Sequence, residues 1–135
     1  MIHFLVDSSA VWRFQRDPDL TEGWMQAVHS GAVGSCEPQR AEFRRSARNV
    51  DEFHHMNQMF DDVYPDVPVP KAVWRWIDSA QHRLSRVAAV RAFSVVDLLV
   101  CGTAASQGLV ILHDDADYET AARHLPDVDA RRVLE

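Results

Sequence analysis

Lysine is almost missing from this chain: Lys71 is the only one among 14 basic residues, so nearly all positive charge is guanidinium. Guanidinium suits bidentate phosphate contacts. Cysteine is scarce as well. Cys36 and Cys101 lack the spacing of a metal-binding pair, and they read as reduced, small core residues. No apolar run approaches the ~18 residues of a membrane span, which excludes a membrane-spanning helix. The opening "MIHFLVDSS" has no basic start, and Asp7 cuts its apolar run short, so a signal peptide is not expected. A cytoplasmic protein without membrane partners follows as the expectation. The net charge of −6 argues against duplex binding through a broad basic face, although the placement of charge matters more than its sum. At 135 residues the chain reads as one domain, 1–135.

Strand and helix patterns alternate. "IHFLV" is a short β-rich run, and "DSSAVWRF" continues it with residues that cap helices. "DPDL" ends that helix and "LTEGWMQAVHSG" forms another. "AVGSC" is a brief strand. A long helix is expected next, with Ser35 as its cap, Pro38 in its first turn, and Ala41, Val50, Phe53, Met56 and Phe60 along its core-facing side. "YPDVPVPK" holds three of the six prolines and is a connection. "AVWRWIDSAQHRLSRVAAV" is helical. "AFSVVDLLVCGTAASQG" reads as a strand end running into an apolar helix closed by Gly108. "LVIL" is a buried strand, "DDADYETAARHL" a helix, and "ARRVLE" a last, edge-like strand. This alternation implies an α/β fold with a parallel sheet covered on both faces.

Acids recur where such strands end. Asp7 follows "IHFLV", Asp97 opens "DLLVCGTAAS", and Asp114, Asp115 and Asp117 follow "LVIL". In an open parallel sheet these carboxyl ends line one rim, and ligand crevices lie just outside it. Glu42, about a turn into the long helix, can face the same rim. Each acid taken alone has a plain explanation. Asp7 and Asp115 suit helix N-caps, and Asp97 stands three residues after Ser94, as in a capping box. Capping does not account for Asp117 beside Asp115, nor for an acid at the head of a helix as apolar as "LLVCGTAA". Without Asp7, Glu42, Asp97, Asp115 and Asp117 the chain would be nearly neutral. Clustered carboxylates repel one another unless a cation compensates, and Mg²⁺ or Mn²⁺ takes such oxygen ligands. The commonest chemistry of these ions is hydrolysis at phosphate.

Together "FLVDSSAVW", "CEPQRAEF" and "VVDLLVCGTAASQGLVILHDDADYETAA" resemble the PIN-domain ribonucleases, in particular the VapC-type toxins of bacterial toxin–antitoxin pairs. The resemblance spans essentially the whole chain. It implies a three-layer α/β/α sandwich around a mostly parallel sheet, and Mg²⁺- or Mn²⁺-dependent RNA cleavage by an activated water. It also implies a homodimer, and a small cognate antitoxin that joins it in a hetero-oligomer. By the same resemblance Asp7, Glu42, Asp97, Asp115 and Asp117 are the site acids. Asp7, Asp97 and Asp115 are the leading metal ligands, Glu42 a ligand or water-orienting group, and Asp117 a support for a second ion or a group acting through water. Asp114 falls on a variable position, and Tyr118 stands where the family usually has Phe. "RLSRVAAVRAFS" departs from the family pattern before the third acid, leaving Arg91 as an auxiliary phosphate contact. Ser9 is a second auxiliary candidate through its hydroxyl, against ordinary first-turn hydrogen bonding.

Other readings compete. A different Mg²⁺-dependent phosphate hydrolase would need a lysine near the phosphate, and Lys71 is poorly placed for that. An inactive PIN-like binding domain would not need every acid. Metal-free cleavage by a histidine pair requires positioned partners, which the adjacent His54 and His55 do not offer. Trp12, Trp24, Trp74 and Trp76 read as core or interface residues rather than base-stacking platforms. The Met56–Met59–Phe60 face is either a peptide groove or the core side of its helix.

Overall fold

The computed structural model describes Met1–Leu134. Four strands form one parallel sheet: β1 (Phe4–Val6), β2 (Val33–Gly34), β3 (Val110–His113) and β4 (Asp129–Arg132), in the order β2-β1-β3-β4. Phe4 pairs with Val33 on one side and Val110 on the other, and Ile111 pairs with Ala130. Seven α-helices occupy the connections: α1 (Ser8–Arg16), α2 (Pro18–His29), α3 (Glu37–Arg44), α4 (Val50–Val63), α5 (Val73–Ser85), α6 (Val95–Gln107) and α7 (Ala116–His124). None is long and apolar enough to cross a membrane. The final residue of "ARRVLE" lies outside the described residues.

Strand alternation sends side chains into two cores. Leu5 and Ile111 point into one, with Ile77, Leu84, Leu98 and Leu125. Val6 and Leu112 point into the other, with Val11, Phe14, Phe43 and Phe60. Both faces of the sheet are therefore covered, as the apolar runs "FLV" and "VIL" require. Cys36 and Cys101 are buried free thiols, as expected. The cores also take in most tryptophan surface. Trp12 stacks on Phe43 at 4.3 Å, and the Trp24 indole N–H donates to the Val133 carbonyl at 3.1 Å. Trp74 is the exception, 59% exposed.

Three sequence expectations change. The long helix after β2 is two helices, broken at residues 45–49. Asn49 starts the second by accepting from the Glu52 N–H at 2.9 Å. Ser35 does not cap the first; it is buried and bonded to the proline-rich connection, with its N–H donating to Pro65 O and its C=O accepting from Val67 N–H. The break turns the helix, so Val50 and Phe53 are exposed, while Phe60 is buried and Met56 and Met59 pack against its core. The segment before α6 holds no strand end. A 3₁₀ turn (Val90–Ala92) leads to Ser94, which forms a complete capping box with Asp97. Gly108 does close α6, at φ 67°, a left-handed position that glycine takes without a Cβ clash.

Gly34 lies where the chain has no spare room. A Cβ there would stand 2.6 Å from Val67 Cγ2 and 2.9 Å from the Pro65 carbonyl oxygen. That carbonyl is tied to Ser35 and cannot move away freely. Gly34→Ala is expected to lose about 1–3 kcal/mol through overpacking, measured by urea denaturation.

Candidate active site

The strand order reverses between β1 and β3, which makes their carboxyl ends the switch point of the sheet. Asp7 lies directly there. It is 5% exposed and caps α1. Its Oδ2 accepts from the Ser9 N–H at 3.0 Å and the Ser9 hydroxyl at 2.6 Å, and its Oδ1 accepts from the Tyr118 hydroxyl at 2.7 Å. Ser9 Oγ in turn accepts from the Asp114 N–H at 2.9 Å, joining the loops after β1 and β3. Ser9 therefore does more than bond within its own turn: it orients Asp7.

Asp97 reaches the same point from the first turn of α6. Its Oδ2 accepts from the Ser94 N–H at 3.1 Å, and its Oδ1 lies 3.3 Å from the Tyr118 hydroxyl. Burial raises the Asp97 pKa, and the charge of Asp7 raises it further, against the lowering effect of the Ser94 and Tyr118 hydrogen bonds. Glu42 enters from α3, half-buried. Burial raises its pKa first, then Asp7 and Asp97, with Ser8 and Arg45 pulling the other way. Asp7, Glu42 and Asp97 thus feel one another's charge. Desolvation, rather than like-charge repulsion, is the largest cause.

Asp115 and Asp117 form a separate pair. Asp115 caps α7, its Oδ1 accepting from the Asp117 N–H at 3.0 Å. The Asp117 pKa is raised by burial and by Asp115. Asp114 is clamped by arginines, at 3.1 Å from Arg132 and 3.6 Å from Arg13. Arg91 is exposed in the 3₁₀ turn, without an ion pair among the described residues. His113 is fully buried, and its Nδ1 accepts from the Asp115 N–H at 3.2 Å. Burial lowers its pKa, so it is a neutral structural support rather than half of an acid–base pair.

Among the described residues no three His, Cys, Asp or Glu side chains form a ready-made metal cage. None of Asp7, Glu42 and Asp97 has an ion-pair partner there either: Arg45 acts on Glu42 without an ion-pair contact, and Arg13, Arg40, Arg44 and Arg132 are held by Asp114, Glu37 and Asp66. Two features at this rim escaped the sequence reading. One is the Tyr118 hydroxyl, a polar tip on a 1%-exposed side chain. The other is a groove of about 790 Å³ beside Glu42, lined by Arg45, Lys71, Trp74, Val96 and Leu99. The signals available for the first were a tyrosine three residues beyond a capping Asp and its departure from the phenylalanine usual in the resembling family.

No family model matches the sequence. Over 103 residues the chain is 77% identical to ribonuclease VapC6 of Mycobacterium tuberculosis H37Rv, a stretch covering 76% of this chain and 81% of that protein. It belongs to the VapC family of PIN-domain ribonucleases. Solved structures share the fold of this VapC-type chain. One is VapBC2 from Rickettsia felis bound to a DNA fragment from its promoter, with TM-score 0.79, 8% identity and 98% of both chains covered. Another is VapBC-5 of M. tuberculosis, described as a member of the VapBC family of toxin–antitoxin systems. It has TM-score 0.61 and 16% identity, and covers 98% of this chain and 99% of that one.

The raised Asp97 pKa has a directional consequence. Its carboxyl holds a proton more readily in the folded chain than in the unfolded one, so deprotonation costs stability as pH rises past the ordinary aspartate value. Asparagine keeps the shape and can still accept from Ser94, but does not titrate. Without metal, the stability of Asp97→Asn relative to wild type is expected to grow as the pH is raised through and above the ordinary aspartate pKa, the direction set by a raised carboxyl pKa. Thermal melts in chelator across such a pH series check this, and a flat difference would contradict it.

Proposed function

We propose that this VapC-type chain is a Mg²⁺- or Mn²⁺-dependent endoribonuclease, the toxin of a toxin–antitoxin pair. The observation that carries this reading is the convergence of Asp7, Glu42 and Asp97, from three separate segments, on one half-buried rim where Arg45 is the one cation acting on them, and only on Glu42. The ribonuclease name of the 77%-identical relative supports the same class of reaction.

The donor set fits the ion. Mg²⁺ prefers hard oxygen ligands and commonly uses one or two carboxylates, completing its shell with waters and substrate phosphate. Such an arrangement does not require a three-carboxylate cage in the free protein. Asp7 and Asp97 would hold the ion, with Asp115 a third ligand from the α7 cap. When bound, the ion supplies a water of lowered pKa and neutralises charge on the phosphodiester. Glu42 orients the attacking water and, with its raised pKa, is suited to take up a proton. Ser9 and Ser94 fix the two carboxylates through their outer oxygens. Asp117 supports Asp115. Arg91, exposed before α6, is available to the RNA backbone, and unpaired RNA presents bases that duplexes conceal.

Residues 1–135 act as one nuclease domain in the cytoplasm. Its partners are RNA, a second copy of itself and a small antitoxin, the last supported by the VapBC complexes that share this fold. Exposed Trp74, Val95, Val50 and Phe53 are apolar surface suited to such contacts.

Purified protein is expected to cut single-stranded RNA with Mn²⁺ and to stop in EDTA, with Asp7→Asn reducing cleavage at least about a hundredfold, the scale of a lost transition-state electrostatic contact. Gel analysis of a labelled RNA decides it. Undiminished cleavage in EDTA would overturn the metal mechanism, and folded, metal-loaded protein without cleavage would favour an inactive binding domain.

A further inference from the structure

Only two carboxylate oxygens of the Asp7–Asp97 pair are free of helix caps. Asp7 Oδ2 is taken by both donors of Ser9, and Asp97 Oδ2 by the Ser94 N–H. The remaining oxygens, Asp7 Oδ1 and Asp97 Oδ1, share one hydrogen-bonding neighbour among the described residues, the Tyr118 hydroxyl, at 2.7 Å and 3.3 Å. Tyr118 comes from the first turn of α7, is 1% exposed, and is packed beside the His113 ring at 5.3 Å. Its hydroxyl has little freedom to swing away.

We infer that Tyr118 is a positioning residue that holds the metal-free site closed, its hydroxyl bonded to Asp7 Oδ1 and standing against Asp97 Oδ1, the two oxygens left for a divalent cation. This inference rests on the metal-dependent reading above. A hydroxyl carries one proton, so it donates to one carboxylate at a time; the distances give that bond mainly to Asp7. The tyrosine oxygen nevertheless stands between two like charges and keeps them from facing each other directly. A buried carboxylate without its donor loses stability, so the bridge favours the metal-free fold. The same bridge opposes the cation, because binding must disturb a hydrogen bond to a charged group. Tyr118 therefore sets the cation concentration at which the site fills. Phenylalanine would keep the ring and its packing while deleting this one contact.

The test uses the full chain as wild type, Tyr118→Phe and Ser94→Ala. Mn²⁺ binding is followed by electron paramagnetic resonance of the free ion, and melting is followed with and without Mn²⁺. Tyr118→Phe is expected to melt lower than wild type in chelator, to bind Mn²⁺ about fivefold more tightly, and to gain more melting temperature from it, as the loss of one net hydrogen bond from the metal-free state requires. Ser94→Ala, which loses a helix cap, should melt lower without tighter Mn²⁺ binding. Wild-type and Tyr118→Phe affinities that are equal, or weaker binding by Tyr118→Phe, would overturn the role of Tyr118 and leave the nuclease reading standing. Absence of Mn²⁺ binding by every variant would overturn both.

Discussion

Asp7 is a buried charge, and the functional end of the molecule is organised around keeping it. An ionised carboxylate out of water is costly unless donors replace its hydration. Here the replacements are local and distant. Ser9 supplies two donors from the adjacent turn, and Tyr118 supplies one from 111 residues away. The first fixes the start of α1 on β1. The second fixes α7, and with it the loop after β3, against the same point. The rim is therefore rigid where a bound group would have to be held.

That arrangement satisfies Asp7 without neutralising it. Every donor is neutral, and Arg13, Arg40, Arg44 and Arg132 are engaged by Asp114, Glu37 and Asp66 instead. Asp97 and Glu42 then arrive from α6 and α3 into a partly desolvated space that already holds a charge. The raised pKa of each is the cost of that convergence. A fold selected only for stability would gain from replacing one of them by a neutral residue. Their retention in one place makes sense if a cation and a phosphate complete the charge balance.

Much of this was legible in the residues themselves. The alternation of "FLV" and "VIL" between two cores follows from strand geometry, and the parallel order brings Asp7 and the acids after β3 to one edge. The capping signals were sound too: Asp7, Asp115 and the Ser94–Asp97 box all cap helices as their spacing suggests. Capping and site-building turned out not to be alternatives, since one oxygen of Asp7 caps while the other faces Tyr118. The break between α3 and α4 was hidden because Asn49 sits in a mostly polar run, "RRSARN", with no proline or glycine to mark it. The division of the acids into Asp7–Glu42–Asp97 and Asp115–Asp117 depends on helix directions that local periodicity does not contain. The Tyr118 bridge is a contact between ends of the chain, and an aromatic in an amphipathic helix gives no hint of where its hydroxyl lands.

The central claim is that Asp7 and Asp97 share a divalent cation at the β1–β3 switch point. Anomalous diffraction from crystals grown with Mn²⁺ tests it most directly. The account predicts a Mn²⁺ peak bonded to carboxylate oxygens of both Asp7 and Asp97. A site left empty at saturating Mn²⁺, or a peak found only on surface acids away from Asp7, would contradict it.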